Sequence, residues 1–342
     1  MSIFEIDPDI KNARTLSSEF YTDPMYFELS KERIFARSWH FLGHENEVIG
    51  LKPVTILPGM LDEPVLLVRD KTEIRCLSNV CTHRGKILVE KPREASLIRC
   101  GYHGRRFSLD GKFLSMPEFD GVEGFPSESD NLKKVPFAIR QDFMFASLDP
   151  VVPFDEFVGD VAEQFADNQN DGLTLTDTRL YEIDAHWALY CENYLEGFHI
   201  PYVHKSLNEI VDYGAYTTET FRYSSLQTGH DDSGTIAARY LFVFPNLMFN
   251  FYPWGISVNV VHPVTPSKTV IEFLTYVGDE SLVNEGAGAD LDSVELEDEA
   301  VVESVQRGIR SRFYTHGRYS PTREQGTHHF HRLIAEFMGS CP

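Results

Sequence analysis

The sequence predicts an α+β protein of two domains, the first all-β and the second an antiparallel sheet carrying helices. Three observations predict it. Residues 39–149 hold short apolar runs, such as 54–57, 65–68 and 143–147, separated by Gly, Pro and Asp turns. Further on, Ile256, Val258 and Val260 alternate with Ser257 and Asn259, the period-two pattern of a half-buried strand, and residues 269–277 behave similarly. Helical patterns flank both regions. A chain of 342 residues is long enough for two cores.

In chain order, residues 20–37 read as a helix with Asp23 as N-cap and Pro24 at the first helical position. The expected divisions are an N-terminal helical segment over 1–37 that packs on the second domain, a β domain over 38–150, and the second domain over 151–342. A Pro- and Asp-containing connection over 150–175 has one short helical stretch. A helix follows near 187–198 and should stop or kink at Pro201, which lacks an N–H. After the strands, an acidic loop over 279–299 leads into a final helix ending near Tyr314.

Composition excludes several classes. The hydrophobic fraction of 42% is too high for disorder. The net charge of −21 argues against a nucleic-acid partner, which needs a basic surface. No signal-like start and no 18-residue apolar stretch is present, so neither secretion nor a membrane span is expected. Five cysteines, Cys76, Cys81, Cys100, Cys191 and Cys341, form no disulfide framework. A reducing, cytoplasmic setting is expected, where cysteines beside histidines point to metal.

Such a cluster is present. Cys81-Thr82-His83 is followed after 16 residues by Cys100-Gly101-Tyr102-His103. Two thiolates and two imidazoles suit zinc or an iron–sulfur centre. The spacing decides, because each hairpin carries one Cys and one His, which lets one iron take both sulfurs and the other both nitrogens. Gly85 and Gly104 follow the two pairs and permit tight loops whose N–H groups can point at sulfur. The motifs CTHRG and CGYHG resemble the Rieske [2Fe-2S] domain of the oxygenases. Around them, Arg84, Lys86, Lys91, Arg93, Arg99, Arg105, Arg106 and Lys112 face only Glu90, Glu94 and Asp110, a local balance of +5 that would steer an acidic redox partner.

A second cluster lies in the stretch from Glu192 to His204. His199 and His204 are five apart, which on an unbroken helix turns them about 140° from each other. Pro201 breaks the helix and lets His204 swing back. Two histidines with one carboxylate form the facial triad of non-haem Fe(II) oxygenases. The expected carboxylate is Asp298, on a helical stripe with Val301, Val302, Val305 and Ile309, with Glu299 and Glu303 pointing away. Asp292 and Glu295 are weaker alternatives.

The pattern N-x-x-[D/E]-x-x-H-x4-H and the segment EDEAVVESVQRG resemble Rieske non-haem iron oxygenase α (oxygenase) subunits over roughly residues 26–337. The resemblance implies a Rieske domain followed by a helix-grip (START-like) catalytic domain. The implied cofactors are a [2Fe-2S] cluster on Cys81, His83, Cys100 and His103, and mononuclear Fe(II) on His199, His204 and Asp298. It implies electrons from a reductase or ferredoxin, O₂ and a small organic molecule as substrates, and a head-to-tail homotrimer. In that trimer Glu196 would link His103 of one chain to His199 of the next, and Asn193 would stand near the iron. Glutamate at 196 resembles the branch acting on carnitine, choline and glycine betaine. The reaction expected is hydroxylation or oxidative demethylation and C–N cleavage. Trp187, Tyr190, Tyr202, Phe249, Tyr252 and Trp254 are candidates for an aromatic cage around a quaternary amine.

Two other classes stay open. An aromatic-ring or aromatic-acid hydroxylating oxygenase could use the same walls. A Rieske electron carrier, or a helix-grip ligand carrier with a vestigial cluster, would be no enzyme. The carrier predicts about two irons per chain and the oxygenase about three. The remaining histidines, including His328-His329-Phe330-His331, are read as structural.

Overall fold

The computed structural model describes residues 4–159, 172–204, 212–231, 233–283 and 291–339. Cys341, part of the acidic loop and the side chain of Asp292 lie outside the described residues. The chain divides into two compact units, Trp39–Val151 and a second made of Met1–Ser38 with Val152–Pro342. Among the described residues no helix is long and apolar enough to cross a membrane.

The first unit is all-β. It holds β1 (His40–His44), β2 (Leu51–Ile56), β3 (Glu63–Asp70), β4 (Glu73–Ser78), β5 (Ile98–Arg99), β6 (Arg106–Phe107), β7 (Phe113–Ser115), β8 (Phe137–Arg140) and β9 (Phe143–Ala146). These make three antiparallel sheets, β2-β3-β4, β5-β6-β7 and β1-β9-β8. Leu51, Leu66, Val68, Leu77, Ile98 and Phe107 form a core that also contains Cys81 and Cys100. The two thiols are therefore anchored by packing before any metal arrives.

The second unit is built on a seven-stranded antiparallel sheet. Its strands are β10 (Thr174–Ile183), β11 (Thr217–Thr220), β12 (Ser224–His230), β13 (Ile236–Val243), β14 (Leu247–Tyr252), β15 (Gly255–Thr265) and β16 (Lys268–Val277). They are ordered β10-β16-β15-β14-β13-β12-β11. The α+β class stands. The half-buried strand expected at 256–260 is buried on both faces, with Ser257 and Asn259 as enclosed as their apolar neighbours. Its polar face turns into a cavity and not to bulk water.

Helices differ from expectation in instructive ways. The predicted helix over 20–37 is split into α1 (Ser18–Thr22), α2 (Pro24–Ser30) and a π turn over Lys31–Phe35. Asp23 does cap α2, its Oδ1 accepting from the Met25 N–H at 2.9 Å, and Pro24 is the first helical residue. Because proline cannot donate into a preceding turn, the same pair that starts α2 ends α1. Phe154–Phe157 forms the short α3.

The helix expected over 187–198 is α4 (Trp187–Tyr194), capped by His186 Nδ1 accepting from the Ala188 N–H at 3.3 Å. Burial pushes the His186 imidazole down to about 3, so it is the neutral acceptor the cap requires. One turn, α5 (Ile200–Val203), carries Pro201. The acidic stretch is no loop throughout: α6 spans Leu291–Gly308, starting earlier and stopping sooner than predicted. It is followed by α7, Gln325–Gly339. Helix α4 packs against α6 and β15.

Candidate iron centres

The cluster loops of the first unit are two copies of one knuckle. In the loop after β4, the Cys81 N–H donates to the Lys86 carbonyl at 2.9 Å and the Cys81 carbonyl accepts from the Gly85 N–H at 2.9 Å. Between β5 and β6, the Cys100 N–H donates to the Arg105 carbonyl at 2.8 Å and the Cys100 carbonyl accepts from Gly104 at 3.2 Å. Both glycines have positive φ, +69° and +74°, where a side chain would be strained. The Tyr102 N–H points at Cys100 Sγ, 3.4 Å away.

The thiols are buried, whereas His83 is half-buried and His103 exposed, their ring centroids 4.8 Å apart. Burial, and then the His103 imidazole, hold His83 below its usual range. Asp130 ties the knuckles together. Its carbonyl accepts from Thr82 Oγ1 at 2.9 Å and from Arg105 Nη2 at 3.2 Å, and its carboxylate receives Arg105 at 2.6 Å. Arg105 itself is buried over Phe113, 4.8 Å from the ring centroid, and so leaves the basic patch. Lys86 is paired with Glu90 at 2.7 Å.

One tetrahedral zinc would draw its donors within about 4 Å of each other. Among the described residues, the only group of three or more donors lying mutually within 4.8 Å is a different one. Two buried sulfurs below two outer imidazoles fit donors shared between two irons.

That other group is His199, His204 and Asp298, in the second unit. His204 Nε2 is 3.1 Å from His199 Nε2 and 3.0 Å from Asp298 Oδ1, and His199 Nε2 is 3.5 Å from Asp298 Oδ1. Bonds of about 2.1 Å at right angles place neighbouring donors about 3.0 Å apart, so the three atoms fit one face of an octahedral metal.

Each imidazole is held from behind. His199 Nδ1 donates to Glu196 Oε1 at 2.9 Å, and the backbone N–H of His199 to Glu196 Oε2 at 3.1 Å. His204 Nδ1 donates to Glu297 Oε2 at 2.8 Å. With the proton fixed on Nδ1, Nε2 presents its lone pair to the metal. Asn193 Nδ2 donates to Asp298 Oδ1 at 2.6 Å and orients the carboxylate. Burial works to lower His204, but Asp298 and Glu297 outweigh it and raise the imidazole, a field that favours positive charge at this point.

Glu297 was not singled out in the sequence, where it was one acid among several on α6. Replacing Glu297 by alanine should weaken mononuclear iron binding about 10–100-fold, with glutamine less damaging because its carbonyl can still accept. Iron retention against a chelator reads this out, and equal retention in all three proteins would remove Glu297 from the site. The stripe of α6 is also corrected. Val302 and Ile309 are buried as expected, but Val305 is exposed and Gln306 takes the inward place, accepting from the His186 N–H at 2.8 Å.

The triad borders a cavity of about 110 Å³. Its wall includes Tyr190, Tyr194, Tyr216, Tyr240 and Tyr252, with Asn250, Ser257 and Asn259 from the sheet. Cross-strand register brings Tyr240, Asn250 and Ser257 into one row. Of the predicted cage, Tyr190 and Tyr252 line the cavity. Trp187 does not: it is fully buried among Phe35 and Phe330. Phe249 projects to the other face of β14 from Asn250, since adjacent strand residues alternate. Trp254 stacks behind Tyr252, centroids 5.0 Å apart. Tyr202 is 80% exposed. Gly197, between Glu196 and His199, admits the Tyr216 ring: a Cβ there would lie 2.7 Å from Tyr216 Cε1.

Residues 38–126 match the family model of the Rieske [2Fe-2S] domain, and residues 171–340 that of the ring hydroxylating alpha subunit (catalytic domain). The choline monooxygenase of Arabidopsis thaliana is 32% identical, over 97% of this chain and 85% of its own length. The chain belongs to the Rieske oxygenase α-subunits. The carnitine monooxygenase oxygenase subunit of Escherichia coli K12 is 30% identical over 95% of this chain and 94% of its own. A crystal structure of a quaternary ammonium Rieske monooxygenase with L-carnitine superposes with a TM-score of 0.82 at 28% identity, covering 97% of each chain. A naphthalene 1,2-dioxygenase from Rhodococcus, TM-score 0.78, is only 20% identical and shares the fold.

This Rieske oxygenase is therefore an oxidoreductase whose cofactors are a [2Fe-2S] cluster and a mononuclear iron. It takes electrons from a reductase or ferredoxin and acts on a small molecule with O₂. The electron-carrier and ligand-carrier alternatives fall.

Proposed function

We propose that this oxygenase hydroxylates a small quaternary amine, with C–N cleavage where the hydroxylated carbon bears nitrogen. The observation that carries the reading is the triad at the border of a cavity walled by five tyrosines. Burial raises all five phenols, so the tyrosine rings are uncharged and electron-rich, the surface on which a trimethylammonium group rests. The named activities of the choline and carnitine relatives point the same way.

In this assignment His199, His204 and Asp298 hold the iron, and Cys81, His83, Cys100 and His103 hold the cluster. Iron, when bound, supplies O₂ activation. The chain does the rest: Glu196 and Glu297 keep each imidazole proton on Nδ1, Asn193 fixes Asp298, and the tyrosine wall positions the substrate and excludes water. The balanced outcome is one C–H converted to C–OH and one O₂ oxygen to water, with two electrons and two protons consumed.

We assign electron entry to the exposed basic residues near the cluster, Arg84, Lys91, Arg93, Arg99 and Arg106. The buried thiols Cys76 and Cys191, which pair with no other cysteine, suit a reducing, cytoplasmic compartment. The working assembly in this reading is a head-to-tail homotrimer, with Glu196 reaching the partner subunit's His103. Two exposed aromatic pairs support it: Phe198 with Tyr202 beside the ligand loop, and Tyr102 tilted against His103 with centroids 3.7 Å apart.

Iron-loaded protein with a surrogate reductase, NADH and O₂ should turn over choline or carnitine with matched product and O₂ consumption. Turnover of a neutral or anionic aromatic, with none of either amine, would reject the substrate class.

A further inference from the structure

Four carboxyl groups on the described residues lie in the triad or beside it, and three of them are held by hydrogen bonds to its side chains or to Asn193. Asp298 faces both imidazoles and accepts from Asn193. Glu196 gives both oxygens to His199. Glu297 receives His204. The fourth is Glu295, one turn before Asp298 on the same face of α6, about 4.5 Å of axial rise away. It lines the cavity and is only 5% exposed. Its Oε2 accepts from the Tyr190 hydroxyl at 2.7 Å, while its Oε1 is buried with no partner. It does not join the metal-binding group, which corrects its standing as an alternative ligand.

A buried carboxyl with one oxygen unsatisfied is costly unless something else completes it. No lysine or arginine is among the described lining residues, so the chain supplies no counter-charge there. Without a cation beside it, burial pushes the Glu295 carboxyl up to about 8, and a cation at that position would draw it back down and hold it ionised. What the position lacks is a cation, without hydrogen-bond donors of its own if it is also to rest on tyrosine faces.

We propose that Glu295 selects a cationic headgroup: Tyr190 holds its Oε2, and Oε1 faces the substrate's quaternary nitrogen, setting the adjacent carbon beside the triad. This rests on the quaternary-amine reading above and names the residue that enforces it. Glu295 acts as the specificity determinant, separating a cation from a neutral molecule of the same shape. The tyrosines alone would discriminate less, since a ring face attracts a cation more weakly than a buried carboxylate does.

The test is calorimetric binding to the iron-loaded holoenzyme, with choline and its neutral carbon isostere 3,3-dimethylbutan-1-ol as probes. Wild type should prefer choline by at least about 30-fold. Glu295→Gln should lose about 10-fold or more of the choline affinity and leave the neutral alcohol within about 2-fold, a built-in check that the pocket is intact. Glu295→Asp keeps the charge and should retain more of the preference than the glutamine variant. A wild type without preference, a glutamine variant that keeps it, equal weakening of both probes, or equal loss in Asp and Gln would each overturn the proposal. Tight, Glu295-dependent choline binding without turnover would instead sink the activity reading and leave this inference standing.

Discussion

His199→Ala should lower the iron content from about three to about two per chain and reduce turnover at least about 1,000-fold, while the Rieske EPR signal persists. His199 Nε2 is one of three donors converging within 3.0–3.5 Å, and the other two cannot close a facial set without it. Alanine also removes the group that Glu196 grips, leaving a half-buried carboxylate without its imidazole partner. The cluster should survive because its donors belong to a separate compact unit with its own core. Asp298→Ala should reproduce the loss. Asn193→Ala, which removes only the 2.6 Å bond that orients Asp298, should cost less. Full turnover in the His199 variant, or loss of the EPR signal together with the iron, would overturn the assignment of the triad.

The proposed donors could be picked out in the sequence because their chemistry is local. Each knuckle needs one Cys, one His and one glycine at fixed offsets, and the repeated hydrogen bonds at Cys81 and Cys100 are consequences of that spacing. The break expected at Pro201 comes earlier: α4 ends at Tyr194, Pro201 sits in the first turn of α5, and His199 and His204 stand at the two ends of that turn. Asp298 was preferred to Asp292 and Glu295 on helical period and on the family-like segment around it, although the phase of the stripe drifted by one residue, so Val305 was expected where Gln306 stands.

What was not legible depends on register between distant segments. Glu297 matters only because His204 arrives beside it from 93 residues away. Tyr240 reaches the cavity because it pairs with Asn250, which pairs with Ser257. Local sequence fixes which strand residues share a face but not which neighbour stands across. Of the aromatic candidates Tyr190 and Tyr252 line the cavity, but nearness in sequence to the iron motif did not bring in Tyr202, which is exposed, or Trp187, which lies in the core. One signal was available. Polar residues at alternate positions of otherwise apolar strands, Asn250 and then Ser257 and Asn259, marked the cavity face.

Glu196→Gln separates two roles that one carboxylate combines. Within the chain it fixes the His199 proton on Nδ1 through the 2.9 Å bond. In the proposed trimer it also joins that imidazole to the partner subunit's His103. A glutamine keeps the size and can still accept from Nδ1 through its carbonyl, so iron should be retained at about three per chain. It cannot present two anionic oxygens, one to each histidine, so the path between centres should be impaired. The expected result is normal reduction of the cluster by the reductase, followed by oxidation of the cluster in a single turnover slowed about 100-fold. If Glu196 served only to orient His199, the order would reverse: iron affinity would fall, and cluster oxidation in fully loaded protein would keep its rate. Rapid-freeze EPR of the Rieske signal, with iron analysis on the same sample, distinguishes the two, because an orienting residue acts on how tightly iron is held and a bridging one on how fast the stored electron leaves.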